Sequence, residues 1–123
     1  MILVDMSVWV DHFRRGNSLL AQRLNRVEVL MHAFVLGELA LGNLAQRAHV
    51  LGALQNLPLA VAATDAEVLR FIDQHALHGM GIGYVDAHLL AAIRLTPGSA
   101  LWTLDKRLQA AASRLGTAFV AGH

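Results

Sequence analysis

Four acidic residues that lie far apart in the sequence have the types and positions that metal-assisted chemistry needs. Asp5 and Asp105 each follow a short apolar run that predicts a buried strand. Asp86 lies in the first turn of a predicted helix, and Glu38 lies early in an apolar helical stretch. Because ligands of open α/β sheets bind beyond the carboxyl ends of the strands, we expect all four side chains to face one crevice.

Four ionised carboxylates in one crevice would repel one another. At about 6 Å and an effective dielectric constant of about 20, each pair would cost roughly 3 kcal/mol. The crevice must therefore either take up protons or hold a hard cation. Oxygen ligands, in a chain without cysteine, favour Mg²⁺ or Mn²⁺ over zinc. Such a site suits hydrolysis of a phosphodiester bond, because the metal activates a water molecule and stabilises charge on the phosphate.

Each acid taken alone also has a simpler explanation. An aspartate at a strand end is often a helix cap, and capping explains Asp5 or Asp105 about as well as metal binding does. Glu38 and Asp86 have apolar neighbours, which favours a functional role for both. His88 falls on a different helix face from Asp86, so we expect it to pack or to face solvent rather than to act as a general base.

Composition restricts the class of protein. A chain of 123 residues predicts one domain, residues 1–123. With 55% hydrophobic and 15% charged residues, the chain is not intrinsically disordered, and the apolar excess favours a partner surface. A net charge of +1 is not that of a tight general nucleic-acid binder. The first residues lack the basic region of a signal peptide, and no apolar run could span a membrane, so we expect a cytoplasmic protein.

Short apolar strands alternate with helices along the chain. Strands are predicted at 2–4, 29–32, 59–63, 100–104 and 117–120. Helices are predicted at 8–15, around 19–24, and at 35–44, 45–54, 64–78, 84–95 and 106–115. Ser7 is expected to cap the first helix, and Thr64 and Glu67 to form a capping box. The alternation predicts an α/β domain with a mostly parallel central sheet and helices on both faces.

Four stretches of the sequence resemble the motifs of PIN-domain proteins, in particular the VapC-type toxins of bacterial toxin–antitoxin pairs. The opening Ile2–Asp11 resembles the family's start, in which two apolar residues precede Asp-x-Ser/Thr. Gly37–Leu39 resembles its internal Gly/Ala-Glu-Leu/Ile motif. Gly83–Ala91 and Leu101–Leu108 resemble its third and fourth acidic motifs. The motifs follow the family's order over nearly the whole chain.

This resemblance implies a metal-dependent endoribonuclease that hydrolyses RNA and is inhibited by a cognate VapB-like antitoxin. The family's acidic quartet corresponds to Asp5, Glu38, Asp86 and Asp105. In the family the first and third acids commonly bind Mg²⁺ or Mn²⁺ directly, and the others act through water or position the metal. Ser7 and Thr103 correspond to supporting residues of that site. The resemblance also implies a homodimer, and it favours a partner groove on the apolar helix pair 35–54, which could otherwise be core.

Basic residues near the crevice are candidates for contact with RNA or the antitoxin, although solvated helix ends are the simpler explanation for them. They are Arg14, Arg15, Lys106 and Arg107. No aromatic platform for base stacking is evident in the sequence. Trp9 and Trp102 follow apolar patterns that predict core or partner-facing positions.

Three other classes of protein compete with the nuclease. A signalling receiver domain needs an acid near the middle of the chain, and residues 50–60 hold none. A haloacid-dehalogenase-like phosphatase needs Asp-x-Asp, and Asp5 is followed by Met6 and Ser7. A catalytically idle PIN-like module that acts only by binding protein or RNA remains the alternative.

Overall fold

A three-stranded parallel sheet lies at the centre of the chain in the computed structural model, which describes residues 1–120. The strands are β1 (Ile2–Val4), β2 (Val29–Leu30) and β3 (Ala100–Trp102), in the spatial order β2-β1-β3. Every residue of β1 and β2 is buried. Because successive side chains of a strand point to opposite faces, both faces of the sheet are covered. The predicted α/β class is confirmed.

The helices follow the predicted order. They are α1 (Met6–Arg15), α2 (Ser18–Asn25), α3 (Ala33–Leu41), α4 (Arg47–Gln55), α5 (Asp65–Gln74), α6 (Tyr84–Leu95) and α7 (Lys106–Arg114). The capping box of Thr64 and Glu67 is confirmed. Ser7 was expected to cap α1, and this prediction is wrong, because the Asp5 carboxylate accepts the first free amides and starts the helix two residues earlier.

Two predicted strands, at 59–63 and 117–120, are wrong as strands. Each contributes a single bridge to an edge of the sheet, Leu59 beside Met31 and Ala118 beside Leu101. After the first bridge the amide of Val61 turns away from the sheet and donates to the Thr96 hydroxyl. The segment continues with small alanines, which offer little packing surface to a strand. The sheet therefore ends where pairing stops, although apolar residues continue.

The core lies between the sheet and the helices. Trp9 and Trp102 are both buried in it. His88 is buried as well, which confirms the expected packing role. None of the helices within residues 1–120 combines the length and apolar character that crossing a bilayer requires.

Candidate functional site

Three of the predicted acids line one pocket at the carboxyl end of β1. This carboxylate pocket has a volume of about 350 Å³. Its lining consists of Asp5, Met6, Val35, Glu38, Gly83, Tyr84, Val85, Asp86 and Leu89. Asp105 does not line it, although the charge of Asp105 acts on Asp86. The fold thus brings together acids from β1, α3 and α6.

Asp5 is the most firmly held of these acids. Its side chain is only 5% exposed, and it caps α1. Oδ1 accepts hydrogen bonds from the Ser7 hydroxyl at 2.5 Å and from the amides of Ser7 and Val8 at 3.0 and 3.4 Å. Oδ2 accepts from the Thr103 hydroxyl at 2.6 Å. Because the hydrogen bonds that cap α1 also fix the orientation of the carboxylate, a capping role and a role in the pocket are compatible for Asp5.

Two hydroxyls tie the end of β1 to the loop that carries Asp105. Thr103 donates to Asp5 and accepts from the amide of Asp105 at 3.0 Å. Ser7 donates to Asp5 and accepts from the amide of Leu104 at 2.9 Å. Asp105 is exposed and caps α7 through Oδ1. Ser7 and Thr103 thus set the end of β1 and the loop before α7 relative to each other by donating to one buried carboxylate.

Asp86 lies half-buried in the first turn of α6. Its Oδ2 accepts a hydrogen bond from the amide of Gly83 at 3.0 Å, which fixes the start of the helix. Burial raises the pKa of Asp86, and the nearby charges of Asp5 and Asp105 raise it further, against the lowering effect of the Gly83 amide. Burial and the neighbouring acids therefore both disfavour the ionised form of Asp86, as expected where acids converge in a pocket.

Glu38 reaches the pocket from α3, where its side chain is exposed. That helix is capped by a buried histidine, since Nδ1 of His32 accepts from the amide of Phe34 at 3.0 Å. Burial lowers the pKa of His32, and the neighbouring His88 lowers it further. The ring therefore stays neutral and keeps Nδ1 free to accept, which holds the start of α3 in place.

The oxygen donors of the pocket fit a hydrated divalent cation. Within residues 1–120, no three Asp, Glu or His side chains lie close enough together to enclose a bare ion. Mg²⁺ keeps several waters and is usually bound through one or two carboxylates, so close convergence of three is not needed. In Asp86 the Gly83 amide donates to Oδ2 and not to Oδ1. All-oxygen chemistry and concentrated negative charge therefore suit Mg²⁺ or Mn²⁺.

An apolar groove adjoins the carboxylate pocket. It has a volume of about 450 Å³, and Met6 and Glu38 line both cavities. The remaining residues of the groove are Val10, Phe13, Arg14, Leu39, Gly42, Asn43, Leu44, Ala45 and Val50. The helix pair 35–54 is thus core on one side, through buried Val35 and Leu54, and groove wall on the other.

The predicted basic contacts have different surroundings. Arg14 lines the groove, whereas exposed Arg15 pairs with Asp11 at 2.5 Å. Lys106 and Arg107 lie exposed in the first turn of α7. The Arg107 side chain passes so close to Gly81 that a Cβ there would lie 2.8 Å from its Cδ. Arg107 therefore packs on the loop that precedes Asp86.

Sequence reasoning missed Tyr84, which lines the pocket beside Asp86 and is 45% exposed. Its hydroxyl donates to Asp65 at 2.7 Å. In the sequence Tyr84 stands only as the first residue of a predicted helix, and Asp65 only as part of a helix start. The signal that could have found Tyr84 is its place two residues before an acid of the third motif.

Comparison with known proteins identifies the family of the chain. The sequence model of the PIN domain family matches residues 2–114. Ribonuclease VapC32 of Mycobacterium tuberculosis strain H37Rv is 46% identical over 118 residues, which are 96% of this chain and 95% of that protein. Ribonuclease VapC32 of strain CDC 1551 / Oshkosh matches to the same extent. The predicted resemblance is confirmed, and the chain belongs to the PIN domain family, among its VapC-type members.

Proposed function

We propose that this protein is a metal-dependent endoribonuclease and the toxin of a toxin–antitoxin pair. The convergence of Asp5, Glu38 and Asp86 on one pocket, with Asp105 close enough to perturb Asp86, carries this proposal. The similarity to Ribonuclease VapC32 supports RNA as the substrate. Hydrolysis of a phosphodiester needs no nucleophilic side chain when a cation activates water.

The acids have different tasks in this proposal. Asp5 and Asp86 would hold Mg²⁺ or Mn²⁺ directly, and Glu38 and Asp105 would bind through its water. The bound cation would lower the pKa of a water molecule and offset charge on the scissile phosphate. Ser7 and Thr103 saturate the inner side of Asp5 with hydrogen bonds and so hold its carboxylate in one orientation. Lys106 and Arg107 are exposed near Asp105, where they could meet RNA phosphates.

Cleavage of RNA by the purified chain in Mg²⁺ or Mn²⁺ tests the proposal. Asp86→Asn should abolish most of the activity, because it removes a charge from the centre of the acidic cluster while keeping the shape. Asp73→Asn is the matched control, since Asp73 is an exposed acid on α5 outside the pocket. Absence of cleavage in wild type with either metal would favour the idle binding module, and equal cleavage by Asp86→Asn would refute the site.

Metal binding should also be visible as stability. At a metal concentration about 100 times the Kd, a ligand that binds only the folded chain adds about 2.7 kcal/mol to the free energy of unfolding. We therefore expect Mg²⁺ or Mn²⁺ to raise the Tm of wild type by several degrees and to raise that of Asp86→Asn far less. A wild-type Tm that ignores millimolar amounts of both metals would contradict a shared cation site.

We propose that the antitoxin occupies the apolar groove. The groove is lined mostly by apolar side chains and carries the cation Arg14, which suits an amphipathic helix with an acidic residue. Since Met6 and Glu38 belong to both cavities, a segment seated there would end beside the acids. Inhibition would then follow from occupation of the space next to the pocket.

We also propose a homodimer, because several large apolar side chains stay exposed away from both cavities. These are Leu41, Leu59, Val61 and Leu69, with Leu41 90% exposed. Large apolar side chains left in water are typical of surfaces that bind another protein chain. Sedimentation of the chain without antitoxin should give the mass of two copies, and a monomer at micromolar concentration would contradict the dimer.

A further inference from the structure

Three rings, one from α3 and two from consecutive turns of α6, form an aromatic cluster beside the carboxylate pocket. The ring of buried His88 lies between those of Phe34 and Tyr84, with centroid separations of 4.6 and 4.7 Å. Phe34 is 40% exposed and Tyr84 45% exposed. We call these three residues the aromatic shelf. The exposed rings of Phe34 and Tyr84 therefore both pack against the buried ring of His88.

Tyr84 is held in place by two independent contacts. Its hydroxyl donates to Oδ1 of Asp65 at 2.7 Å, and its ring meets His88 at an interplanar angle of 89°. Nε2 of His88 lies 3.0 Å from the same Asp65 oxygen. A single carboxylate thus anchors both the exposed ring and its buried support. A ring fixed in this way loses little conformational entropy when a ligand covers it.

Resting on the proposed ribonuclease function, we propose that Tyr84 of the aromatic shelf stacks on an unpaired base of the RNA next to the scissile phosphate. Tyr84 and Asp86 line the same pocket, so a phosphate held at the acids places a neighbouring base within reach of the ring. Stacking of this kind tolerates any base, because every base has a π-face.

The surroundings of the shelf favour a nucleobase over a second copy of the chain. The Asp65 side chain, which anchors Tyr84, is 77% exposed. A protein interface laid over the ring would also dehydrate that carboxylate, at a substantial cost in free energy. A base can cover the ring and leave the carboxylate in water. The shelf therefore suits a flat ligand of limited area.

Equilibrium binding of single-stranded RNA tests the shelf. The probes are one short RNA and a set in which a single base at a time is removed while sugar and phosphate stay, with Ca²⁺ replacing Mg²⁺ to limit cleavage. Tyr84→Leu should weaken binding of the intact RNA about tenfold. Wild type should bind the RNA that lacks one particular base about tenfold more weakly than the intact RNA. Tyr84→Leu should bind the intact and the base-deleted RNA almost equally.

Two further variants separate stacking from a structural effect. Tyr84→Phe keeps the ring and loses only the bond to Asp65, so it should stay closer to wild type than Tyr84→Leu does. Leu95→Ala removes an exposed apolar side chain from the end of α6 opposite to Tyr84 and should leave RNA binding unchanged. Thermal melts of all variants report whether each one folds.

The outcomes distinguish the shelf from the nuclease. If wild type cleaves RNA and Tyr84→Leu binds every probe as wild type does, the proposed stacking on Tyr84 is wrong and the proposed nuclease activity is supported. If wild type binds RNA with the predicted base dependence but cleaves nothing in Mg²⁺ or Mn²⁺, the proposed nuclease activity is wrong and the proposed stacking on Tyr84 is supported. If wild type binds no RNA, or Tyr84→Leu changes only the oligomeric mass, the shelf is overturned.

Discussion

The carboxylate pocket and the apolar groove share Met6 and Glu38 but are built in opposite ways. The pocket depends on hydrogen bonds that fix Asp5 from several segments before any ligand arrives. The groove offers mostly apolar side chains around one arginine. The pocket therefore suits a small charged ligand, whereas the groove suits an apolar segment of a partner protein. Glu38 lines both cavities, so a ligand in either one would lie next to it.

The largest expected effect concerns fixation within the pocket. Asp5→Asn removes a charge and places an NH₂ group where a donor already points, so RNA cleavage should fall about 1,000-fold or more, a loss of roughly 4 kcal/mol. Glu38→Gln should cost less, about 10- to 100-fold, because Glu38 is exposed and would act through water. Single-turnover cleavage rates measure both. Equal losses of cleavage rate in the two variants would show that the hydrogen bonds that fix Asp5 do not make it more important for cleavage than Glu38.

The next effect tests the groove. Leu44→Lys places a charge in the groove wall, so the affinity of the proposed antitoxin should fall about 30-fold, or about 2 kcal/mol. Leu95→Lys, at the exposed end of α6 outside the groove, is the matched control. Calorimetric titration gives both affinities, and cleavage without antitoxin should persist in both variants. Equal affinity for Leu44→Lys and wild type would place the antitoxin elsewhere.

The sequence was informative about this molecule where local chemistry decides the structure. Asp5 and Asp105 could be placed because apolar runs precede them, and α6 was predicted at its observed bounds because Gly83 and Thr96-Pro97 limit it. The motif resemblance then connected acids that periodicity alone could not bring together. These inferences need only neighbours in the chain.

Features that depend on contacts between distant segments could not be predicted. The segment after Leu59 leaves the sheet because Thr96 takes the amide of Val61. Phe34 and Tyr84 form one surface only because His88 is buried between them. No pattern in the linear sequence carries this information, so the strand was overpredicted and the aromatic shelf was missed.

A smaller effect concerns the loop that leads to Asp86. Gly81 and Gly79 both have a left-handed backbone, with φ of +77° and +75°, but only Gly81 lies against Arg107. Gly79→Ala should therefore lose about 1 kcal/mol from backbone strain alone. Gly81→Ala should lose that amount and also displace Arg107. Chemical denaturation compares them, and equal losses would show that Arg107 moves aside freely.

The smallest expected effect is the pH dependence of stability that Asp86 imposes on the metal-free chain. Its pKa is raised by burial and then by Asp5 and Asp105, so the folded chain holds the proton to a higher pH than the unfolded chain does. Below the ordinary pKa of an aspartate both states are protonated and no penalty exists. As pH rises through the raised pKa, the folded chain must ionise Asp86 and loses stability.

Asp86→Asn removes this penalty and keeps an acceptor for the Gly83 amide. In EDTA at neutral pH the variant should therefore be more stable than wild type, by about 0.5 kcal/mol because solvent screens a half-buried charge. The gain should vanish below the ordinary pKa of an aspartate. Adding Mg²⁺ should reverse the order, since only wild type keeps the full set of ligands. A variant less stable than wild type in EDTA would mean that the ionised Asp86 is tolerated without a cation, and the electrostatic distinction between pocket and groove would be lost.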